Sequence, residues 1–499
     1  MDAFIETDAA AKRLSEKMGC ATMKRLSLWF LAVSLFGPSL LQSRLAAQES
    51  PLVILHVTVI DATGAEASRD QTVVIKGDRI AALGKPGEVS IPNGASLVDA
   101  TGKFLIPGLW DMHVHTLQEG RAKSFFPLFI ANGVTGVRDM GSSMSDLQAV
   151  TMLRKEIDGG KLLGPRIVAA GPLLDGPNAM FPELSVAVSN EREARQSVED
   201  LQSGGADFIK VYSLLPRAAY FAIADEAKHR NIPFAGHVPE SISALEASDA
   251  GQKSIEHLSG VRLACSTSEA ELRQELMEAR AKSDASLLYR VLRHVYAKST
   301  ETYGEEKADT LFSRFVANDT WQVPTLVVAR FLAQLERDPK QNPRAALAGE
   351  RLENDPWVEY LTADQFESVL RSTQNAFDLV KAMKRAGVKF MAGTDAPNPF
   401  VVPGKSLHDE LELLVQAGFT PLEALQSATR NPAEYLGRLD TLGTVEKGKI
   451  ADLVLLDANP LEDIGNSRKI WAVIVNGKIL LRPQLDEMLS RDGANESSR

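Results

Sequence analysis

Residues 106–115 read Ile106-Pro107-Gly108-Leu109-Trp110-Asp111-Met112-His113-Val114-His115, an apolar run that ends in two histidines one residue apart. Side chains alternate between the two faces of a β-strand, so His113 and His115 point the same way if this stretch is a strand. Two imidazoles on one face of a strand end can bind one metal ion together. Because histidines also occur in protein cores, the pair identifies a metal site only if the rest of the chain supplies further ligands.

The composition is that of a globular protein with a substantial core. Of 499 residues, 44% are hydrophobic and 24% are charged, which allows one large domain with a smaller one, or two or three ordinary domains. The net charge of −10 and the lack of a basic stripe argue against a nucleic-acid partner. Two cysteines exclude a disulfide framework, and Cys265 is predicted to be a semi-buried apolar residue.

The N-terminal region has a pattern typical of a secretory signal peptide. Met23-Lys24-Arg25 precedes an apolar run at residues 26–41, and Leu45-Ala46-Ala47 supplies small residues for cleavage. Acidic residues before Met23 suit a signal peptide poorly, so we expect a start at Met23 and a mature chain that begins near Gln48. Residues 1–47 are thus predicted to be an extension with a signal peptide, and the mature protein to be secreted or periplasmic, without stable membrane insertion. The alternative is an uncleaved anchor.

Strand patterns occupy both ends of the remaining chain. Residues 51–106 contain β-branched runs and a hairpin around Gly77-Asp78, and residues 437–485 contain a hairpin around the favoured turn Asn476-Gly477. We predict that these two β units form one small composite β-sandwich, with residues 107–436 inserted between them. The polar stretch 486–499 is predicted to be a flexible tail.

Short apolar strand candidates alternate with helical patterns across residues 107–436. Such alternation predicts a (β/α)8 TIM-like barrel of the α/β class, with parallel strands at its centre. The predicted strands are Gly108–His115, Val134–Asp139, Arg166–Gly171, Phe208–Tyr212, Pro233–Val238, Ser254–Leu258, Gln322–Ala329 and Lys389–Asp395. Helical sequence at 268–317 and 345–385 exceeds what a minimal barrel needs and is predicted to form insertions around the mouth.

Metal-binding residue types recur where these strands end, which is where the chemistry of such barrels takes place. The residues at these ends are His113, His115, Lys210, His237, His257 and Asp395, and they include half of the eight histidines in the chain. Imidazole and carboxylate groups are good zinc ligands, whereas a free ammonium group is not. On its residue type alone, Lys210 would be a solvated lysine in an ion pair at the barrel mouth.

The motifs around these residues resemble those of the amidohydrolase superfamily of metal-dependent hydrolases. The resemblance covers about residues 51–482. Within the superfamily, the chain most resembles the imidazolonepropionase-related branch, which contains Xaa-Pro dipeptidases and N-acyl-amino-acid hydrolases. The matching motifs lie at 107–115, 133–141, Lys210, 393–396, 428–433 and 448–453. All six strand-end residues fall on the family's metal positions.

This resemblance implies a pair of divalent metal ions, with zinc as the expected metal. In the family, the lysine that corresponds to Lys210 reacts with carbon dioxide to give N6-carboxylysine, whose carbamate bridges the two metals. The resemblance assigns one ion to His113, His115, Lys210 and Asp395, and the other to Lys210, His237 and His257. Asp395 is also the implied catalytic residue, because its carboxylate can take a proton from water and pass it to the departing amine.

The predicted function is hydrolysis of amide bonds in small molecules, either dipeptides such as Xaa-Pro or N-acyl amino acids. The alternatives are hydrolysis of cyclic amides, lactones or phosphoesters by the same metal pair, or a metal-free scaffold. A mononuclear deaminase would leave Lys210 without a role. The expected partner is a small-molecule amide substrate, and the sequence leaves the formation of a homo-oligomer open.

Further residues near these motifs have predicted positions. Tyr212 lies two positions after the strand-end lysine and is predicted to face the site, either as a substrate-binding residue or as a packing residue. We expect Arg138 and Asp139 to form a buried pair. Glu256 should face the barrel wall because it alternates with its histidine neighbour, and His408 is expected to approach the mouth.

Overall fold

The computed structural model describes residues 50–282, 285–335, 363–398 and 401–496. The predicted signal segment, residues 1–47, lies outside the described residues, and so do residues 345–362 of the second predicted helical insertion. Among the described residues, no helix combines the length and the apolar composition that a membrane crossing requires.

The described residues form two parallel sheets, one mixed sheet and the helices between the strands. In chain order, strands β1 to β17 are Leu52–Val59, Ser68–Lys76, Arg79–Gly84, Ser96–Asp99, Phe104–Pro107, Leu109–Val114, Val134–Asp139, Arg166–Ala169, Leu173–Asp175, Ser185–Ala187, Ile209–Val211, Phe234–Gly236, Ser254–Glu256, Trp321–Val323, Leu453–Leu456, Ile470–Val475 and Lys478–Leu481. Helices α1 to α15 are Ala122–Ala131, Met144–Asp158, Glu191–Ser203, Arg217–His229, Ala244–Asp249, Val261–Ala264, Glu269–Ala281, Ala285–Glu301, Glu305–Ala317, Leu326–Leu335, Ala363–Arg385, Lys405–Gln416, Pro421–Ser427, Arg430–Tyr435 and Arg482–Glu496.

The mixed sheet contains strands from both ends of the chain. Its order is β17-β16-β15-β5-β1-β2-β3, and β4 pairs with β1. The junction is β5, which pairs in parallel with β1 and antiparallel with β15. Buried side chains of Val57, Ile75, Leu105 and Leu453 belong to one apolar cluster of this sheet. The two end units therefore share one sheet, while the sandwich arrangement stays a prediction.

The two parallel sheets contain seven of the eight strands predicted for the barrel. Their orders are β6-β7-β8 and β10-β9-β11-β12-β13-β14. Strands β6, β7 and β13 are buried on both faces, as expected of parallel strands covered by helices. Strand β14 ends at Val323, earlier than predicted, because helix α10 begins at Leu326. The sequence analysis did not predict the short strands β9 and β10.

The eighth predicted strand, Lys389–Asp395, forms isolated bridges in place of a regular strand. Phe390 forms a parallel bridge with Gln322 of β14, and Ala396 forms a parallel bridge with Val114 of β6. This segment therefore connects the last strand of the six-stranded sheet to the first strand of the three-stranded sheet. The observed class is α/β with parallel sheets.

The predicted helical insertions are helical where the structure describes them. Residues 268–317 form α7, α8 and α9, with a small apolar cluster of Leu272, Leu276 and Val295 between α7 and α8. The described part of the second region forms α11. In the C-terminal stretch, α15 continues through Glu496, and Leu485, directly before residues 486–499, is buried in the main core. The flexibility of residues 486–499 stays a prediction.

Glu410 of α12 is fully buried and fixes the start of α10. Its carboxylate oxygens accept the backbone N–H groups of Leu326 at 3.0 Å and Val327 at 2.7 Å, donors that have no partner within the helix itself. Burial raises the pKa of Glu410 to about 8, against the effect of these two N–H groups, while Asp111 adds to the shift and Arg330 opposes it.

We predict that Glu410→Gln gains thermal stability relative to the wild type as the pH rises. An unfolded glutamic acid ionises near a pKa of about 4.3, so wild-type stability falls as the pH rises from there to the folded pKa of about 8. Glutamine has no proton to lose, but its amide nitrogen cannot accept one of the two backbone N–H groups, so the variant carries a cost that does not change with pH. The difference between the two melting temperatures should therefore move by about 3 °C in favour of the variant between pH 5 and pH 9, the shift that about 1 kcal/mol gives in a large domain. A constant difference across this range would contradict the prediction.

Candidate metal centre

Strand β6 and the residue after it bring two histidines, His113 and His115, to Asp395, the last residue of the segment 389–395. Asp395 Oδ1 lies 3.4 Å from His113 Nε2 and 3.3 Å from His115 Nε2. One ligand atom from each of these three residues lies within 4.8 Å of the others. Gly393 permits the close approach, because a Cβ atom there would lie 2.9 Å from the backbone nitrogen of His113.

Hydrogen bonds determine which nitrogen of each ring faces Asp395. His113 Nδ1 donates to the carboxylate of Glu256 at 2.8 Å, and His115 Nδ1 donates to the carbonyl of Gly141 at 3.2 Å. Carboxylates and carbonyls only accept hydrogen bonds, so the Nε2 atom of each neutral ring carries a lone pair. Two lone pairs and a carboxylate thus converge without a hydrogen between them, which is a donor set that suits a divalent cation.

His257 and His237 extend this cluster to the neighbouring strand ends. The ring centroid of His257 lies 4.5 Å from that of His113 and 5.1 Å from that of His237. Hydroxyl groups contact the remaining nitrogen of each ring, since Thr325 Oγ1 lies 2.7 Å from His257 Nδ1 and Ser213 Oγ lies 2.9 Å from His237 Nδ1. Both contacts involve Nδ1, so neither uses the Nε2 atom of its ring.

Lys210 is buried on β11, and its Nζ atom has no hydrogen-bond partner among the described residues. An ammonium group without an acceptor is costly in a dry site. Burial accordingly lowers the pKa of Lys210 to about 8, against the opposing charges of Glu256 and Asp395. At pH 7 about a tenth of the Lys210 side chains are therefore neutral amines.

Burial and the charges of the cluster shift most of its pKa values in the direction that favours metal binding, with His115 as the exception. Burial and the charge of Lys210 lower the pKa values of His113 and His237 well below the usual value for histidine. Burial would raise the pKa of Asp395, but the neighbouring histidines and Lys210 outweigh it and lower the pKa. For His115, burial lowers the pKa, but the contact with Asp395 and the charges of Asp395 and Asp139 together outweigh burial, so the pKa rises. A bound cation would compete with that proton.

Tyr212 lies beside the cluster and stacks on His237, with ring centroids 4.0 Å apart and planes 28° apart. Phe181 contacts Tyr212 edge-on, with ring centroids 6.0 Å apart. Burial, together with the charges of Asp395 and Asp175, raises the pKa of Tyr212. Its hydroxyl group therefore stays protonated and can donate a hydrogen bond; contact with substrate stays a prediction.

The sequence analysis predicted that Glu256 faces the barrel wall, but the structure places its side chain against His113. Strand β13 ends at Glu256, and the next residue, His257, has a φ of 56°. This left-handed conformation breaks the alternation that the prediction assumed, and the side chains of Glu256 and His257 both contact His113. His257, Thr325 and Asp395 all have positive φ, at 56°, 47° and 64°, and such strain is typical of functional sites.

The predicted pair of Arg138 and Asp139 is wrong, because these adjacent residues of β7 point to opposite faces. Arg138 Nη2 donates to both oxygens of Glu256, at 2.9 and 3.0 Å. Asp139 instead accepts the backbone N–H groups of Thr116 at 2.8 Å and Leu117 at 3.0 Å, just beyond β6.

His408 was expected to approach the barrel mouth, but it packs against Ser467 and the backbone of Asn132 instead. It belongs to the buried face of α12, where its Nδ1 atom lies 2.8 Å from Ser467 Oγ and its Nε2 atom lies 3.0 Å from the carbonyl of Asn132. Burial lowers the pKa of His408 to about 4. Its position makes it a structural residue between α12 and its neighbours.

Asp111 is a site residue that the sequence reasoning missed. Its carboxylate accepts the backbone N–H of His113 at 3.2 Å, and the N–H and hydroxyl of Thr394 at 3.0 and 2.6 Å. Burial raises the pKa of Asp111 to about 7. Its spacing of two residues from His113, which places both on one strand face, was the available signal.

The chain is similar to known hydrolases along most of its length. A sequence profile described as "Amidohydrolase family" matches residues 104–310 and 322–480. Ochratoxinase of Aspergillus niger is 25% identical over 482 residues, which cover 84% of each chain. Imidazolonepropionase of Geobacillus sp. (strain WCH70) is 25% identical over 393 residues, which cover 77% of this chain and 83% of the relative. The crystal structure of a Xaa-Pro dipeptidase with methionine in its active site matches with a TM-score of 0.62 and 22% identity, over 87% of this chain and 100% of that one.

We predict that His115→Ala lowers the affinity of the protein for divalent metal by more than about 100-fold. Even the outer partners of metal ligands contribute about 10–100-fold to affinity, so loss of a ligand should cost more. His294→Ala is the matched control, since His294 is exposed on α8. Its one ion pair among the described residues is with Glu275, at 3.6 Å. Competition with a chromogenic chelator measures both affinities. Equal affinities in the two variants would contradict the assignment.

Proposed function

Because the chain belongs to the amidohydrolase family and is a hydrolase of carbon–nitrogen bonds, we propose that it cleaves small amides with a pair of divalent metal ions. The substrates we propose are dipeptides such as Xaa-Pro and N-acyl amino acids. The observation that carries this proposal is the convergence of two imidazole lone pairs on Asp395 beside a buried lysine whose Nζ atom has no partner among the described residues.

The names of the relatives support an amide substrate. One relative is named ochratoxinase, and one matching structure is named a Xaa-Pro dipeptidase. The family likeness implies a TIM-like barrel, and we infer that residues 389–395 close it as the eighth strand, with the end strands forming a composite sandwich. The bridges from Phe390 to β14 and from Ala396 to β6 support this closure. An experimental structure with a gap at these bridges would contradict it.

The residues present fit two metal ions, which we expect to be zinc. His113, His115, Lys210 and Asp395 would hold one ion, and Lys210, His237 and His257 the other. When bound, the ions would activate a water molecule and polarise the amide carbonyl of the substrate. The buried Nε2 atom of His113 has no hydrogen-bond partner among the described residues, as expected of a ligand atom.

Lys210 can serve as a ligand only after it has lost its positive charge. We propose that its neutral amine attacks carbon dioxide, so that a nitrogen–carbon bond forms and one proton leaves to solvent. The lysine thereby becomes N6-carboxylysine, an anion with two oxygen ligands. The lowered pKa of about 8 supports this reaction, because the amine must be neutral to react.

Asp395 would act as the proton carrier, and Tyr212 as a donor to the substrate. The carboxylate of Asp395 is ionised and lies beside the imidazoles of His113 and His115, so it can take the proton of the attacking water and pass it to the departing nitrogen. The protonated hydroxyl of Tyr212 can donate to a carbonyl or carboxylate of the substrate.

We predict that wild-type protein supplied with zinc and bicarbonate releases amino acids from a library of dipeptides and N-acyl amino acids. Lys210→Ala should abolish this release, because no carbamate can form. Lys253→Ala is the matched control, since Lys253 is a partly buried barrel lysine that pairs with Asp319 at 2.8 Å. Nuclear magnetic resonance of protein equilibrated with carbon-13 bicarbonate should show a carbamate carbon that Lys210→Ala lacks. If no amino acid is released from any library member although the protein binds two metal ions, lactones or phosphoesters become the favoured substrates.

We predict that Asp395→Asn lowers kcat by about 10²–10⁴-fold, the usual contribution of a general acid–base residue. Asparagine keeps the shape of the side chain but cannot carry a proton between water and nitrogen. Asp457→Asn is the control, because Asp457 is exposed and pairs with Lys103 at 2.6 Å. Steady-state rates on the preferred amide, at equal metal content, measure the effect. Near-normal turnover in Asp395→Asn would rule out this mechanism.

A further inference from the structure

Arg138 and Glu256 form an ion pair inside the barrel, and neither side chain has any solvent exposure. Removing two charges from water is expensive, and well-packed apolar residues are often as stable or more stable in such places. The presence of this ion pair therefore does not imply that it stabilises the fold. Glu256 directly contacts the candidate metal ligand His113, which suggests that the ion pair serves the metal site instead.

Every polar atom of this ion pair has a partner. Glu256 Oε1 accepts from Arg138 Nη2 at 2.9 Å and from Ser254 Oγ at 2.5 Å, and Glu256 Oε2 accepts from Arg138 Nη2 at 3.0 Å. Arg138 Nε donates to the carbonyl of Met112 at 2.7 Å, and Arg138 Nη1 donates to Ser254 Oγ and the hydroxyl of Tyr435, both at 3.0 Å. A network so completely bonded holds its members in one arrangement.

The one remaining donor to Glu256 is His113, whose Nδ1 atom lies 2.8 Å from Oε2. Among the four histidines of the cluster, His113 is the one whose Nδ1 contacts a carboxylate. His115 contacts a carbonyl, and His237 and His257 contact hydroxyl groups. Hydroxyl groups both donate and accept, so they leave the ring tautomer undetermined, whereas an ionised carboxylate requires Nδ1–H.

We propose that Glu256 is a positioning residue that holds the ring of His113 in the metal-binding tautomer and orientation, and that Arg138 holds Glu256. A carboxylate behind a metal-bound histidine both orients the ring and increases its basicity. Nε2 of His113 is thereby aimed at Asp395 Oδ1, 3.4 Å away, where the ion shared with His115 would bind. This inference rests on the proposed metal pair and adds a residue outside the ligand set.

The geometry also specifies which ion depends on Glu256. His113 belongs to the proposed site of His115 and Asp395, whereas the other proposed site uses His237 and His257, which have their own partners. Loss of the Glu256 carboxylate should therefore weaken one ion and leave the second unchanged. A general loss of fold would affect both ions together.

The test compares Glu256→Gln with Glu269→Gln in the full chain. Glu269 of α7 is a partly buried carboxylate that pairs with Arg273 and Lys307, both at 2.8 Å, and these ion pairs include no candidate ligand. We expect Glu256→Gln to weaken one of two bound zinc ions by about 10–100-fold in chelator competition, and Glu269→Gln to leave both affinities unchanged. The visible spectrum of the cobalt-loaded protein, which reports ligand geometry, should change in Glu256→Gln alone.

A double variant, Arg138→Met with Glu256→Leu, separates positioning from stability. Since both charges are removed, no unpaired charge stays buried, and the melting temperature should match or exceed that of Glu256→Gln. The affinity for the first ion should nevertheless stay low. Recovery of wild-type affinity in the double variant would overturn the proposal.

The outcomes also distinguish this inference from the proposed function. If wild-type protein binds two ions and Glu256→Gln binds both with unchanged affinity, the positioning role is wrong and the proposed function stands. If wild-type protein binds no divalent metal, the proposed metal pair fails, and the role of Glu256 fails with it.

Discussion

The carboxylate of Asp111 joins the two segments that form the candidate metal centre. It accepts the backbone N–H of His113 on β6 and both the N–H and the hydroxyl of Thr394, the residue before Asp395. A buried carboxylate must find its donors inside the protein, because no water is available to replace them. This requirement fixes the distance between the segments, and Gly393 allows the approach. If either segment moved away, an acceptor would be left unpaired, so the arrangement of the ligands follows from this bond.

The same constraint operates at the loops that hold the other histidines. Three buried acids accept backbone N–H groups close to the candidate ligands. Asp139 accepts from Thr116 and Leu117, Asp175 accepts from Leu214, and Glu410 accepts from Leu326 and Val327. Leu214 follows Ser213, which contacts His237, and Leu326 follows Thr325, which contacts His257. Burial raises the pKa of Asp139 to about 6 and that of Glu410 to about 8. These acids therefore reduce stability at neutral pH, and the chain gains a rigid site in return.

The sequence predicted the members of the cluster better than it predicted their supports. A polar residue at the end of a buried apolar strand stands out in a sequence, and parallel strands bring such ends together; this was enough to select Lys210 and the histidines. Glu256 was misplaced because strand alternation was extended past a residue with positive φ. The partner of Arg138 comes from a strand 118 positions away, and no local pattern encodes such a contact. His408 was misjudged because its distance in sequence from Asp395 says nothing about which face of α12 is buried.

The strands at the chain ends carry no candidate ligand, yet they support the strand that does. β5 continues through Gly108 into β6, and the Gly108 N–H donates to the carbonyl of Asp452 at 2.7 Å. The carboxylate of Asp452 in turn accepts from Arg166 Nε of β8 at 2.6 Å. The C-terminal β unit is thus bonded to the starts of both outer strands of the β6-β7-β8 sheet. Because a strand is stiff along its length, fixing the start of β6 limits the positions that His113 and His115 can take at its end. The sheet built from the two chain ends therefore helps to position the residues of the candidate metal centre.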